Sequence, residues 1–174
     1  FAAAKGLALA LDIPLVPVPT LDCVAFPFSF WPGIVLPVID AKSRSFFTAL
    51  YRGGERLGPY LDTGMDELIK IVAAAKSAAA GIEPAGPESA AEPAGPGSGD
   101  PGPESPPLLI TGPGAVMVYG PLVRAFPGAV LDPLHGRGRA AELLNLAAKR
   151  SILDNKRVSG GPLYLRKSDA ELNG

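Results

Sequence analysis

The chain has 174 residues, 47% of them apolar, and its 16 Lys and Arg nearly cancel 17 Asp and Glu to leave a formal charge of -1. That length and apolar content suffice for one ordinary domain or two small lobes around a real core, and exclude a chain disordered throughout. The near-neutral balance excludes a broad cationic surface that grips nucleic acid unaided. The single cysteine, Cys23, excludes an intrachain disulfide and a cysteine-based metal cluster, which fits a reducing, cytoplasmic setting.

Residues 1–11 read as a helix rich in Ala and Leu, ended by Asp12 and Ile13-Pro14, because a residue before proline avoids the helical region. Its apolar run is far shorter than the ~20 residues that cross a bilayer. A helix apolar on nearly every face needs cover from other elements or another chain. The chain starts at Phe1 without a methionine, as a piece of something longer would. "IPLVPVPT" alternates Leu15, Val16 and Val18 with prolines and predicts an edge strand, and "TLDCVAFPFSFWP" predicts a short helix with Thr20 as its cap.

From Gly33 the pattern becomes that of strands. "IVLPVID", "SFFTALYRG" and "RLGPYLD" predict a three-stranded meander, with Gly53-Gly54 as the second turn. "TGMDELIKIVAAAKSAAA" predicts the clearest helix, capped by Thr63, with Asp66 and Glu67 in its first turn and Leu68, Ile69 and Val72 at helical spacing. Residues 81–107 hold no large apolar residue after Ile82 and are mostly Pro, Gly, Ala, Ser and acid, the composition of a disordered insertion whose removal leaves the fold stable. "LLITGPGA" reads as a buried strand ending in a glycine turn and "AAELLNLAAKRSIL" as a further helix. The tail "PLYLRKSDAEL" is too sharply patterned for a frayed end, with Leu163, Tyr164 and Leu165 placed for burial and Arg166 for water.

Four stretches, "AKGLALALDIPLVPVPTLD", "VLPVIDAKSRSFFTALY", "LLITGPGA" and "PLYLRKSD", in this order, resemble the TsaB (YeaZ) family, glycoprotease-like proteins of threonylcarbamoyladenosine synthesis in transfer RNA. The resemblance implies an α/β fold of the actin-like, sugar-kinase-like ATPase type, with one complete lobe and the end of the other. Residues 1–32 are then the remnant of the first lobe, 33–80 and 108–174 the two parts of the second with its ordered tail, and 81–107 an insertion. The opening strand of that family and the phosphate-facing glycine turn before its alanine-rich helix have no counterpart here.

The resemblance further implies a non-catalytic subunit that stabilises a catalytic paralogue, TsaD, works beside the ATPase TsaE or as a homodimer, and meets tRNA only through the complex, without a membrane. Its interface falls on the first helix, at Phe1, Ala3, Ala4 and Leu7. It implies no catalytic residue and no resident cofactor or metal. The rival reading is an ATPase or phosphotransferase of the same fold that binds ATP or ADP with magnesium through Asp40, Gly112 and Gly114. Asp40 reads equally as the cap of a hairpin turn with Ser43, and a glycine turn after a strand is common. Catalytic relatives hold metal with two histidines on one helix, whereas His135 is the chain's single histidine. Arg137 and Arg139 read as phosphate contacts or as a solvated loop. Cys23 has no neighbouring base and reads as a core residue, and no serine has a plausible His and Asp partner, so peptidase chemistry has no support.

Overall fold

The computed structural model describes residues 2–80, 106–137 and 140–154. Its centre is β1 (Ile34–Asp40), with an antiparallel neighbour on one side and a parallel one on the other. The antiparallel neighbour is β2 (Ser45–Thr48) continued by β3 (Tyr51–Arg52), and the offset against β1 is the same for both, Val38 opposite Thr48 and Val35 opposite Tyr51. Pro37 accounts for the gap between them. It has no N–H to give to the facing strand, and its carbonyl instead accepts the buried Thr48 hydroxyl at 2.7 Å. The outer strand is likewise in two pieces, β4 (Glu55–Arg56) and β5 (Leu61–Gly64), around Gly58 and Pro59. The expected three-strand meander is therefore present, with two of its strands interrupted.

After α3 (Met65–Ala80) the sheet grows in parallel on the far side of β1, through β6 (Leu108–Thr111), α4 (Ala115–Ala125) and β7 (Val130–Leu131). Parallel strands need crossover connections, and the helices that supply them cover the sheet. Ile34, Leu36 and Val38 of β1 and Leu108 and Ile110 of β6 pack against Leu68 and Val72 of α3 and Val118 and Leu122 of α4. The alternate residues, Val35 and Leu109, turn to the opposite face and meet Leu21 and Ala25 of α2 (Thr20–Ala25), as period-two strands require. A one-turn 3-10 segment, Phe26–Phe28, follows α2, and α5 (Ala140–Asp154) packs on both. Cys23 is buried in α2, a core residue as expected.

Three local expectations need correction. Residues 13–19 form no strand, since Pro14, Pro17 and Pro19 remove donors from most of so short a run. Thr20 is the first residue of α2 and not its cap; Pro19 holds the cap position, and no side chain bonds the helix end. Thr63 belongs to β5, opposite Phe46, and its hydroxyl donates to the Gly64 carbonyl at 3.3 Å. α4 and β7 had no counterpart in the sequence reading, and Gly120-Pro121 in the middle of α4 explains why the first was missed.

The helix expected at the start is α1 (Ala2–Ala10), and only Ala8 in it is buried. Leu7, Leu9, Leu11 and Ile13 are between 54% and 74% exposed. No helix among the described residues is long and apolar enough to cross a membrane. Phe1, the tail with Tyr164, and residues 81–105 of the expected insertion lie outside the described residues. Pro106 and Pro107, the last two residues of that range, pack on the lobe: Pro106 is buried, and the Pro107 carbonyl accepts the Ile34 N–H at 2.9 Å and the Trp31 indole N–H at 3.3 Å.

Candidate functional site

In open sheets of this kind, ligands settle outside the carboxyl ends of the parallel strands. β1, β6 and β7 end together, and they bring Asp40, the turn Gly112-Pro113-Gly114 and Asp132 to one edge. The three residues read from the sequence as nucleotide contacts thus do meet. Gly112 has φ +92°, a left-handed conformation that favours glycine, and a Cβ there would lie 2.6 Å from the Val38 carbonyl oxygen. A Cβ on Gly114 would lie 2.9 Å from the Asp40 nitrogen, and the Gly114 N–H donates to the Val38 carbonyl at 2.9 Å. Both glycines are therefore small because the backbone of β1 presses on them.

Asp40 is equally engaged within the chain. Its Oδ1 accepts the Lys42 backbone N–H at 2.8 Å and its Oδ2 the Lys42 ammonium at 3.0 Å. These bonds, the backbone one foremost, hold the carboxyl below its ordinary value of 3.8. Lys42, Ser43 and Arg44 all have positive φ, between 50° and 64°, so the hairpin is a run of left-handed residues that Asp40 pins at its start and Ser45, bonding the Lys42 carbonyl through its hydroxyl, at its end. Ser45, rather than the expected Ser43, closes the turn that Asp40 opens. An ATP with magnesium fits these groups poorly, because the space beside each glycine is filled by β1 and the carboxylate already faces a cation.

A depressed carboxyl contributes stability above its unfolded pKa and loses that contribution as the pH falls through the folded one. Asp40→Asn is therefore expected to lower the melting temperature slightly at pH 7, and the difference from the parent should vanish well below pH 3.8. Thermal unfolding across the acid range checks this; a difference that widens toward acid would contradict the assignment of Asp40 as a charged turn cap.

Asp132 was not singled out from the sequence. It is 3% exposed, its Oδ2 accepts the buried Thr111 hydroxyl at 2.7 Å and its Oδ1 the Leu134 N–H at 2.8 Å. The only signal was Asp-Pro after a strand, a common turn start. His135 closes the same turn, with Nδ1 2.8 Å from the Asp132 carbonyl oxygen. A carbonyl only accepts, so Nδ1 carries a proton. No group of three or more potential metal ligands forms among the described residues. Arg137 is exposed, and Arg139 lies outside the described residues, as does Phe1 of the expected interface; Ala3, Ala4 and Leu7 of that interface are exposed on α1.

No curated protein matches the chain. The family model of TsaD, tRNA N6-adenosine threonylcarbamoyltransferase, matches residues 1–98, more than half of the 174. The match is to this wider glycoprotease-like family and does not single out the TsaB branch that the sequence resembles. Its domain has the actin-like ATPase fold, with which the mixed sheet and its covering helices agree. The chain therefore belongs to the TsaD family, whose work is the threonylcarbamoylation of tRNA.

Proposed function

We propose that this chain is a TsaB-like, non-catalytic member of the family, which stabilises a TsaD-like catalytic paralogue and works beside a TsaE-like ATPase. The observation that carries the reading is α1, whose leucines stand in solvent in this chain alone, far more exposed than a lone helix of such composition tolerates without cover. Small Ala3 and Ala4 beside Leu7 let a partner helix come close.

Ala4→Glu and Leu7→Asp, made in the full-length protein, are expected to abolish co-purification with the TsaD-like paralogue, because an unpaired carboxylate buried at such a contact costs several kcal/mol. Both positions are exposed in the chain alone, so the lobe should remain folded. Size-exclusion chromatography of the mixture decides: folded variants that still form the complex would remove α1 from the interface. Retention of the paralogue complex with loss only of self-association would assign α1 to a homodimer instead.

A further inference from the structure

Lys76 lies in the second half of α3, beside the point where the chain enters the sheet ahead of β6. Its Nζ donates to the Pro106 carbonyl and lies 5.9 Å from the centre of the Phe126 ring, just past the end of α4. Both partners are neutral groups. No carboxylate among the described residues lies within ion-pair reach of Lys76, whereas the Lys42 ammonium lies 3.0 Å from Asp40 Oδ2 and that of Lys70 3.5 Å from Glu67 Oε2. Lys76 is half-buried, and those two are exposed. Desolvation, with no anion to offset it, holds the Lys76 amine below its ordinary value of 10.5.

Pro106 is followed by Pro107, whose carbonyl accepts the Ile34 N–H and the indole N–H of Trp31, the chain's one tryptophan. A Cβ on Gly33 would lie 1.8 Å from that same oxygen, so Pro107 is pressed against the start of β1 without slack. Lys76 thus clamps one residue of a seam whose next residue fixes how the chain meets β1. An amine so placed has what a nucleophile needs: a setting that favours the neutral form, and a side chain that stays partly exposed. Acylation converts it to a neutral amide, removes the attraction to the Phe126 ring, and adds bulk beside the Pro106 carbonyl.

We propose that Lys76 is an acylation site for small acyl phosphates, and that its modification loosens the Pro106–Pro107 seam between α3 and β1. In that step the neutral amine attacks the acyl carbonyl carbon and the N–C bond forms. The C–O bond to phosphate breaks, phosphate leaves with the electron pair, and the amine's proton passes to water. Nothing is oxidised or reduced. The site shares no residue with α1 or with the Asp40 edge, so its failure leaves the partner reading untouched.

Acetyl phosphate added to the full chain near neutral pH, followed by peptide mass spectrometry, tests the site. Lys76 should acetylate at least about threefold faster than Lys42 and Lys70, and the three should react alike in urea, where the fold no longer sets them apart. Trp31 reads the seam. Its fluorescence should move to longer wavelength in the acetylated parent and in Lys76→Gln. Lys76→Arg keeps a cation for the ring and a donor for Pro106, so its emission should match the parent's and stay there after acetyl phosphate. Equal or slower reaction of Lys76 in the folded chain, a preference that survives in urea, or Trp31 emission unmoved by acetylation of the parent would each overturn the proposal. The rate comparison uses no variant, so it decides even where a substitution at Lys76 disturbs folding.

Discussion

Replacing Gly112 by alanine is expected to destabilise the lobe by about 3 kcal/mol or more. Two costs coincide there. The residue sits at φ +92°, where a side chain is strained, and the added carbon would lie 2.6 Å from the Val38 carbonyl oxygen, which is backbone of the central strand and cannot swing away. Relief would pull β6 and the start of α4 off β1. Gly58→Ala is the matched control: nothing lies within 4 Å of its added carbon and its φ is not in the left-handed region, so stability should hold or rise slightly. Chemical unfolding of the two variants gives the comparison, and equal midpoints would show that the Gly112 turn is not pressed on β1.

Ile110→Ala is expected to cost about 3 kcal/mol, within the range for emptying a fully buried aliphatic site. Ile110 is 0% exposed, pairs with Leu36 of β1 and Leu131 of β7, and fills the layer under α3 and α4. Its neighbours are strands bonded on both sides and cannot close the gap. Leu9→Ala removes an equally large side chain, but Leu9 is 74% exposed, and its loss should stay within about 0.5 kcal/mol in the chain alone. The same Leu9 variant should become costly once a partner covers α1, so unfolding measured with and without the paralogue separates packing within the lobe from packing across an interface.

What the sequence displayed was whatever rests on local pattern. The apolar run of β1, the acidic first turn and helical spacing of α3, and the closed apolar run of β6 each carry their structure in a few neighbouring residues. α4 did not, because Pro121 is a helix breaker by rule and is tolerated here only where the surrounding turns of α4 and its packing on β1, β6 and β7 hold the helix. β7 is two residues long and owes its place to β6, not to its own composition. Residues 13–19 erred the other way: alternation of apolar residues with prolines imitates a strand that has no neighbour to bond.

The candidate edge divides similarly. Asp40 and Gly112 could be placed together because they end strands that the fold sets side by side, while the bond between Thr111 and Asp132 spans 21 positions and exists only through the β6–β7 pairing. That the glycines answer to β1 and not to a ligand was also invisible, since spacing cannot tell which surface a missing side chain makes room for.

The Lys76 ammonium of α3 bonds the Pro106 carbonyl and faces the Phe126 ring, and its burial holds the amine below its ordinary value. α3 ends at Ala80, one turn beyond Lys76. The chain therefore rejoins the lobe beside the last turns of the helix from which it departs, like a road that returns near its own exit. Whatever residues 81–105 do, the span between their ends is fixed, and for a flexible loop each doubling of length adds only about 0.6 kcal/mol of closure entropy. The junction between α3 and β6 is accordingly where this architecture can accept a long foreign sequence, even a whole folded passenger, without the sheet registering its presence.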